Sequence, residues 1–262
     1  MNGRIVRTNK SNHLPVVSKI KIGEKSEKGY PKSLDYFKPF GKYADLFYKA
    51  YPENTNKIPI LFISDDLNFC CNERLELRNN KGDLFAKGDG DIFEVWNENP
   101  KIKAYESFSI SEHPDIEKKC AIRTGTKWQR VLTLRFIIPK IKGVLGLWQL
   151  ETKADKSSID QIRDTFDYIL DRTGTVTRIL FDLTVTKVKS QKPDDPSSYP
   201  VLNLIPNVSE GNLMQLKEFV ESGAIQSLAY VNDSQILKLS ESKPKQIEEK
   251  ISDENPLFDY KN

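Results

Sequence analysis

Two runs of alternating residues, separated by a short turn-like segment, constrain this chain more than any other feature. In an extended chain, Trp128, Leu132, Leu134, Phe136 and Ile138 would share one face of the first run. Val144, Gly146, Trp148, Leu150 and Thr152 would share one face of the second. Between them, Pro139-Lys140-Ile141-Lys142-Gly143 has the length and composition of a hairpin connection. The pattern predicts a pair of long antiparallel strands with a tryptophan on each.

Other strands follow from the same logic. Leu14 to Ile22 reads as a strand, with a turn from Gly23 to Lys28 and a loop closed by Pro31. Ile58–Ile63, Leu84–Lys87, Ile92–Trp96 and Ala104–Ile110 are short β-branched or aromatic runs between Asn, Gly, Asp and Pro clusters. Val176 to Lys189 alternates Ile179, Phe181, Leu183 and Val185 with Arg178, Asp182, Thr184 and Thr186, which predicts a strand with one wet face. A polar loop at Lys192–Ser198 leads to a returning strand at Val201–Ile205.

Helical spacing is confined to fewer places. A short helix is expected around Tyr43–Ala50. Ile159, Ile162, Phe166, Ile169 and Leu170 repeat at helical spacing, with Ser158 and Gln161 placed as a capping box and Gly174 as the stop. Burying those apolar side chains is worth roughly 1.5–3 kcal/mol each, so this helix must pack on the sheet. A second begins at Ser209, buries Leu213, Leu216, Phe219 and Val220, and ends at Gly223; from Asp233 the sequence thins into a weak helix or flexible tail.

Charge is distributed unevenly. The net charge is +3, yet residues 1–57 hold 12 Lys or Arg against 5 Asp or Glu. The same segment carries Tyr30, Tyr36, Phe37, Phe40, Tyr43, Phe47, Tyr48 and Tyr51. Basic residues interleaved with rings suit a single-stranded nucleic-acid groove, and they equally suit rings packed on a core beneath a charged exterior. No apolar run reaches the roughly 20 residues of a membrane-spanning helix, and the N-terminus lacks a secretory-type apolar stretch, so a cytoplasmic location is expected. Three cysteines, two of them adjacent at Cys70 and Cys71, do not form a disulfide framework.

Three motif blocks recur in fixed order. Ile20-Lys21-Ile22-Gly23-Glu24-Lys25 runs on to Pro31-Lys32-Ser33-Leu34-Asp35-Tyr36-Phe37; Ala86-Lys87-Gly88-Asp89-Gly90-Asp91 follows; Gly146-Leu147-Trp148-Gln149-Leu150-Glu151-Thr152 is the third. Together with Ile58–Phe62 and Leu134–Pro139, these blocks resemble the phage recombination directionality factor-like proteins that accompany large serine integrases, over roughly residues 14 to 206. Members of that family typically open with a Gly-Glu-Lys-like turn followed by Pro-Lys-x-Leu-Asp-x-Phe. They commonly carry several cysteines between the second and third blocks, implying a zinc-binding insertion. This chain departs from that pattern, with only His113 and Cys120 in the stretch, so no metal and no cofactor are expected.

Each candidate site has a structural reading beside its functional one. Lys87-Gly88-Asp89-Gly90-Asp91 lacks the spacing of a phosphate loop and of a calcium loop, which leaves a turn between strands. Asp65 and Asp66, with Asp89, Asp91 and Glu94 downstream, offer carboxylates for a metal-dependent hydrolase, but adjacent aspartates on a strand diverge. Only His13 and His113 are available as imidazoles. Trp148 reads as a core ring or an interface anchor, and Gly146, on the same face, leaves room for a close approach.

The expected architecture is α+β: a β-rich, mostly antiparallel sheet or barrel-like core with two or three packed helices. Its parts would be a basic, aromatic-rich segment over 1–57 packed on the core, a core domain over 58–232 and a polar tail over 233–262. The resemblance implies a non-enzymatic accessory protein in the cytoplasm of a bacterial host. It would bind a large serine integrase on attachment-site DNA, promote attL × attR excision and oppose integration. Tyr30, Lys32, Tyr36 and Phe37 are the expected partner-binding residues, with direct nucleic-acid contact a further option. The alternatives from other classes are a phage single-stranded DNA-binding or replication accessory protein and a metal-dependent hydrolase.

Overall fold

The structure, a computed structural model, describes residues 14–27, 29–99, 101–190, 197–227 and 230–242. The expected polar loop at 192–198 lies mostly outside them, as do His13 and the tail beyond residue 242.

The strands are β1 (Val16–Lys25), β2 (Pro31–Phe40), β3 (Lys57–Leu61), β4 (Cys71–Arg78), β5 (Leu84–Gly88), β6 (Ile92–Trp96), β7 (Tyr105–Ser109), β8 (Gln129–Phe136), β9 (Leu147–Thr152), β10 (Leu180–Lys189) and β11 (Ser198–Pro206). The helices are α1 (Ala44–Ala50), α2 (Leu67–Cys70), α3 (Ile116–Thr124), α4 (Asp160–Thr173), α5 (Glu210–Glu221) and α6 (Asp233–Ser242). An eight-stranded sheet runs β2-β1-β9-β8-β4-β5-β6-β7, and a three-stranded sheet runs β11-β10-β3. All pairings within the sheets are antiparallel except β1 with β9. The two sheets are open rather than closed into a barrel. No helix among the described residues is long and apolar enough to cross a membrane.

The long hairpin forms as its alternation predicts. Leu132 faces Thr152, Leu134 faces Leu150 and Phe136 faces Trp148 across β8 and β9. All six are buried, with Trp148 only 1% exposed. Trp128 does not join them. It precedes β8 and packs edge-on against Phe93, 5.3 Å between centroids, while its indole N–H donates to the Glu117 carbonyl of α3 at 3.0 Å. The ring therefore belongs to a smaller core of Leu77, Phe85, Ala86, Val95 and Cys120 beneath α3.

The main core lies between the hairpin strands, the three-stranded sheet and α4. Phe62 sits at its centre, with the Phe166 and Phe181 rings at 5.2 and 5.3 Å. Reciprocal backbone hydrogen bonds of 2.9 and 2.8 Å between Leu61 and Ile137 tie the small sheet to the end of the large one.

Several elements depart from the sequence reading. The expected turn at Gly23–Lys28 begins later: β1 continues to Lys25, the chain reverses over Ser26–Tyr30, and Pro31 opens β2 instead of closing a loop. Proline is tolerated there because β2 is an edge strand and Pro31 its first residue. Opposite Lys21 stands Lys38, whereas opposite Gly23 stands Ser33, so β2 has more residues than β1 over this stretch. That irregularity buries both Leu34 and Phe37, at 2% and 1% exposure, which a regular strand could not do for residues three apart.

The capping box does not form at α4. A π-helical turn at Asp155–Ile159 leads into the helix, and the Ser158 hydroxyl instead accepts from the Leu202 N–H at 2.9 Å, joining the turn to β11. Gly174 stops the helix at φ 75° as expected. Asp182, expected on a wet face, is 8% exposed and pairs with Lys57 at 2.8 Å. Asp233–Ser242 forms α6, which buries Ile236.

Candidate functional site

The first and third motif blocks meet in space. β1 runs parallel to β9, with Ser18 beside Trp148 and Ile20 beside Leu150. Gly146 stands where β1 crosses the start of the third block. A Cβ built there would overlap the Val17 side chain and lie 3.0 Å from the Pro15 carbonyl, and the Leu147 N–H donates to that carbonyl at 2.9 Å. The close approach foreshadowed by Gly146 is thus made by the chain's own N-terminal strand. Trp148 is a core ring, 5.9 Å from Phe47.

Pairing between β1 and β9 ends at Ile20 and Leu150. Beyond it lies a groove of about 550 Å³, lined on one side by Lys21, Gly23 and Ser33 and on the other by Glu151, Thr152 and Lys153, with Tyr199 of β11 also contributing. Every one of these residues except Lys153 and Tyr199 lies in a motif block.

Around the groove the charges are ordered. Lys38 donates to Glu24 at 2.7 Å and Lys32 approaches the same carboxylate at 3.6 Å. The hydrogen bond from Lys38 holds the Glu24 carboxyl below its usual range. On the face of β1 and β2 away from the core, Lys19 stands opposite Phe40 and Lys21 opposite Lys38. Phe40 is 60% exposed, with the Lys21 ammonium 4.2 Å from its ring centre. The same face continues into an ionic ladder on β4. Glu76, only 3% exposed, is held by Arg74 at 2.6 Å and Arg78 at 2.9 Å, and Arg74 also reaches Thr133 at 2.6 Å. The sequence reading missed this ladder, although Arg74, Glu76 and Arg78 alternate at strand spacing and so share a side.

The four expected partner-binding residues are divided. Tyr30, 70% exposed, tips the β1–β2 turn, whose Ser26 hydroxyl accepts from the Tyr30 N–H at 3.1 Å. Lys32 is exposed and Tyr36 half-buried on β2. Phe37 lies in the main core, and its N–H donates to the Thr55 carbonyl at 2.8 Å.

The other candidates serve the fold. Asp65 accepts from the Thr175 hydroxyl at 2.8 Å, the Val176 N–H at 2.7 Å, the Thr177 N–H at 3.1 Å and the Thr177 hydroxyl at 2.9 Å, fastening the segment after α4. Asp66 caps α2 by accepting from the Asn68 N–H at 2.9 Å. Asp89 accepts from the Asp91 and Ile92 N–H groups at 2.9 and 2.8 Å, which closes the β5–β6 turn, and those backbone donors, Ile92 foremost, lower its pKa. A side chain at Gly88 would meet the Phe93 ring at 2.5 Å. Burial pushes the Cys70 thiol up to about 11 and the Cys71 thiol up to about 12. Cys120 is buried on the inner side of α3, and His113 packs edge-on against Phe108 at 5.3 Å. Among the described residues no three His, Cys, Asp or Glu side chains gather as a metal site.

No curated protein and no solved structure matches the chain. Residues 17–207, more than half of it and including all three blocks, match the model of Gp3-like, recombination directionality factor-like proteins. The chain therefore belongs to the recombination directionality factor-like family, with an accessory role in recombination.

Proposed function

We propose that this protein binds a large serine integrase on attachment-site DNA and shifts the complex toward attL × attR excision, away from integration, without performing chemistry itself. The observation that carries this reading is the family match over residues 17–207. Supporting it, four of the five carboxylates that suggested a hydrolase are engaged within the chain: Asp65 fastens residues 175–177, Asp66 caps α2, Asp89 closes a turn and Glu94 pairs with Lys87. A factor of this kind works by preferring one shape of its partner. A differential of about 5.5 kcal/mol carries a two-state equilibrium from 1:99 to 99:1, and the interface is expected to exceed about 1,000 Å² in total.

The contact surface is proposed to centre on the β1–β2 edge, with Tyr30 at the turn and Lys32 and Tyr36 on β2. Phe37 would act from beneath by holding β2 in place. The test is direct binding of the purified protein to the serine integrase of the same element, alone and on attachment-site DNA. Saturable binding that Tyr30→Ala with Lys32→Glu weakens at least tenfold is expected. Absence of binding to either form would overturn the reading.

A second reading, direct contact with single-stranded DNA, is favoured by exposed Phe40 among Lys19, Lys21 and Lys38, a ring and cations arranged for stacking and phosphate contact. It predicts oligonucleotide binding that falls steeply with salt and is lost in Phe40→Ala. Binding unaffected by either removes it.

A further inference from the structure

At the far end of the large sheet, the segment from residue 79 to residue 115 holds four Lys against eight Asp or Glu, the reverse of the basic N-terminal strands. Within this segment the ends of β5, β6 and β7 border an open cleft of about 430 Å³ lined by Phe85, Trp96 and Tyr105, with Asp83, Glu98 and Asn79 at its polar edge. Trp96 and Tyr105 are cross-strand partners whose rings meet at 68°, 5.2 Å apart, and the Tyr105 hydroxyl is tied down by donating to the Leu84 carbonyl at 2.9 Å. Asp83 is fixed by an Asn79 amide donor at 3.2 Å.

A ring face beside a carboxylate attracts cations, because the quadrupole of the ring and the charge of the carboxylate favour the same guest. The chain already uses this chemistry at the cleft's border. The Arg123 guanidinium of α3 lies 5.5 Å from the Phe85 ring centre and is ion-paired with Glu98. Lys87, the other cation near a cleft ring, is 5.8 Å from Tyr105 and is paired with Glu94 at 2.6 Å. Trp96, Tyr105 and Asp83 present a similar combination of ring and carboxylate to a guest from outside.

We propose that the Phe85–Trp96–Tyr105 cleft, rimmed by Asp83 and Glu98, is a docking pocket for an arginine side chain on a basic segment of a protein partner. Asp83 supplies the charge and the rings supply the grip. This proposal does not depend on which protein carries the segment, and it is tested on this protein alone.

The probe is a short, capped glycine–arginine peptide titrated into the full chain, followed by the nuclear magnetic resonance shift of the Trp96 indole N–H. An isosteric citrulline peptide serves as the neutral control. Saturable shifts in the millimolar range with the arginine peptide, at least tenfold weaker with citrulline, are expected. Asp83→Lys should lose them at least tenfold, and Asp83→Asn, which retains an oxygen for the Asn79 amide, should weaken them less. Trp148, buried in the main core, should not respond. Equal shifts with citrulline, no shift at Trp96, or unchanged binding in Asp83→Lys would each overturn the proposal.

Discussion

Gly146 and Val17 occupy the same small volume where β1 passes the start of β9, and only the absence of a side chain at 146 lets the two strands meet. The contact is backbone-tight on both sides, since the Leu147 N–H reaches the Pro15 carbonyl at 2.9 Å.

Gly146→Ala should therefore destabilise the protein by about 1–3 kcal/mol, as overpacking of a close contact does. Val17→Ala in the same chain should recover part of that loss, because it removes the atom the new methyl would strike. Denaturant unfolding of the single and double variants measures the coupling. Equal and additive losses would show that the two side-chain positions do not compete.

Acid should weaken the fold through Glu73 and Glu76. Burial works to raise both carboxyls, but Arg130 and Arg163 outweigh it at Glu73, and Arg78 and Arg74 outweigh it at Glu76, so both stand below their ordinary value. A carboxyl with a depressed folded pKa contributes stability that is fully present above its unfolded value of about 4.3 and is lost as pH falls through the folded value. Glu76→Gln should lower stability at pH 7 by about 1–3 kcal/mol and flatten the loss below about pH 4.3. Unfolding curves at several acid pH values check both effects, and an unaltered acid limb would contradict the assignment.

Tyr51 is buried with no hydrogen-bond partner for its hydroxyl among the described residues, and burial pushes that hydroxyl up to about 12. Its ring packs on Phe47 at 5.2 Å. Tyr51→Phe keeps the ring and removes the unpaired oxygen, so stability should be unchanged or rise by up to about 1 kcal/mol. A loss beyond about 1 kcal/mol, read by denaturant unfolding, would reveal a partner for the hydroxyl.

The residues of the β1–β2 turn and of β2 should separate by depth. Tyr30→Ala and Lys32→Glu change exposed side chains and should cost no more than about 1 kcal/mol, most of it from Lys32→Glu, which faces Glu24, whereas Phe37→Ala opens the core and should cost about 3–5 kcal/mol. If the surface pair weakens integrase binding at full stability, the effect belongs to the contact. If it unfolds the protein, the β1–β2 turn has a structural role instead.

What was legible in the sequence was what local periodicity controls. The β8–β9 hairpin could be read down to its facing pairs, because both strands alternate and a short connection joins them. The parallel pairing of β1 with β9 could not, since it joins segments far apart in the chain, and Gly146 alone hinted at it. Leu34 and Phe37, three apart, gave no strand signal because the irregular pairing of β2 breaks the period that marks one. The helix α3 was missed for a related reason: Cys120 is its one buried residue, so it shows little apolar stripe. At the candidate site, Tyr30 and Lys32 could be singled out only as members of the basic, aromatic-rich segment, since their exposure is set by the fold. The depth of Phe37 depends on a fold that no single segment encodes.

The most direct measurement of the proposed role is recombination by the serine integrase of the same element, scored as attB × attP and attL × attR conversion with and without this protein. Excision that appears only when the protein is added, together with suppressed integration, is the predicted result. Unchanged yields of both reactions, at concentrations where the two proteins are shown to be folded, would contradict it.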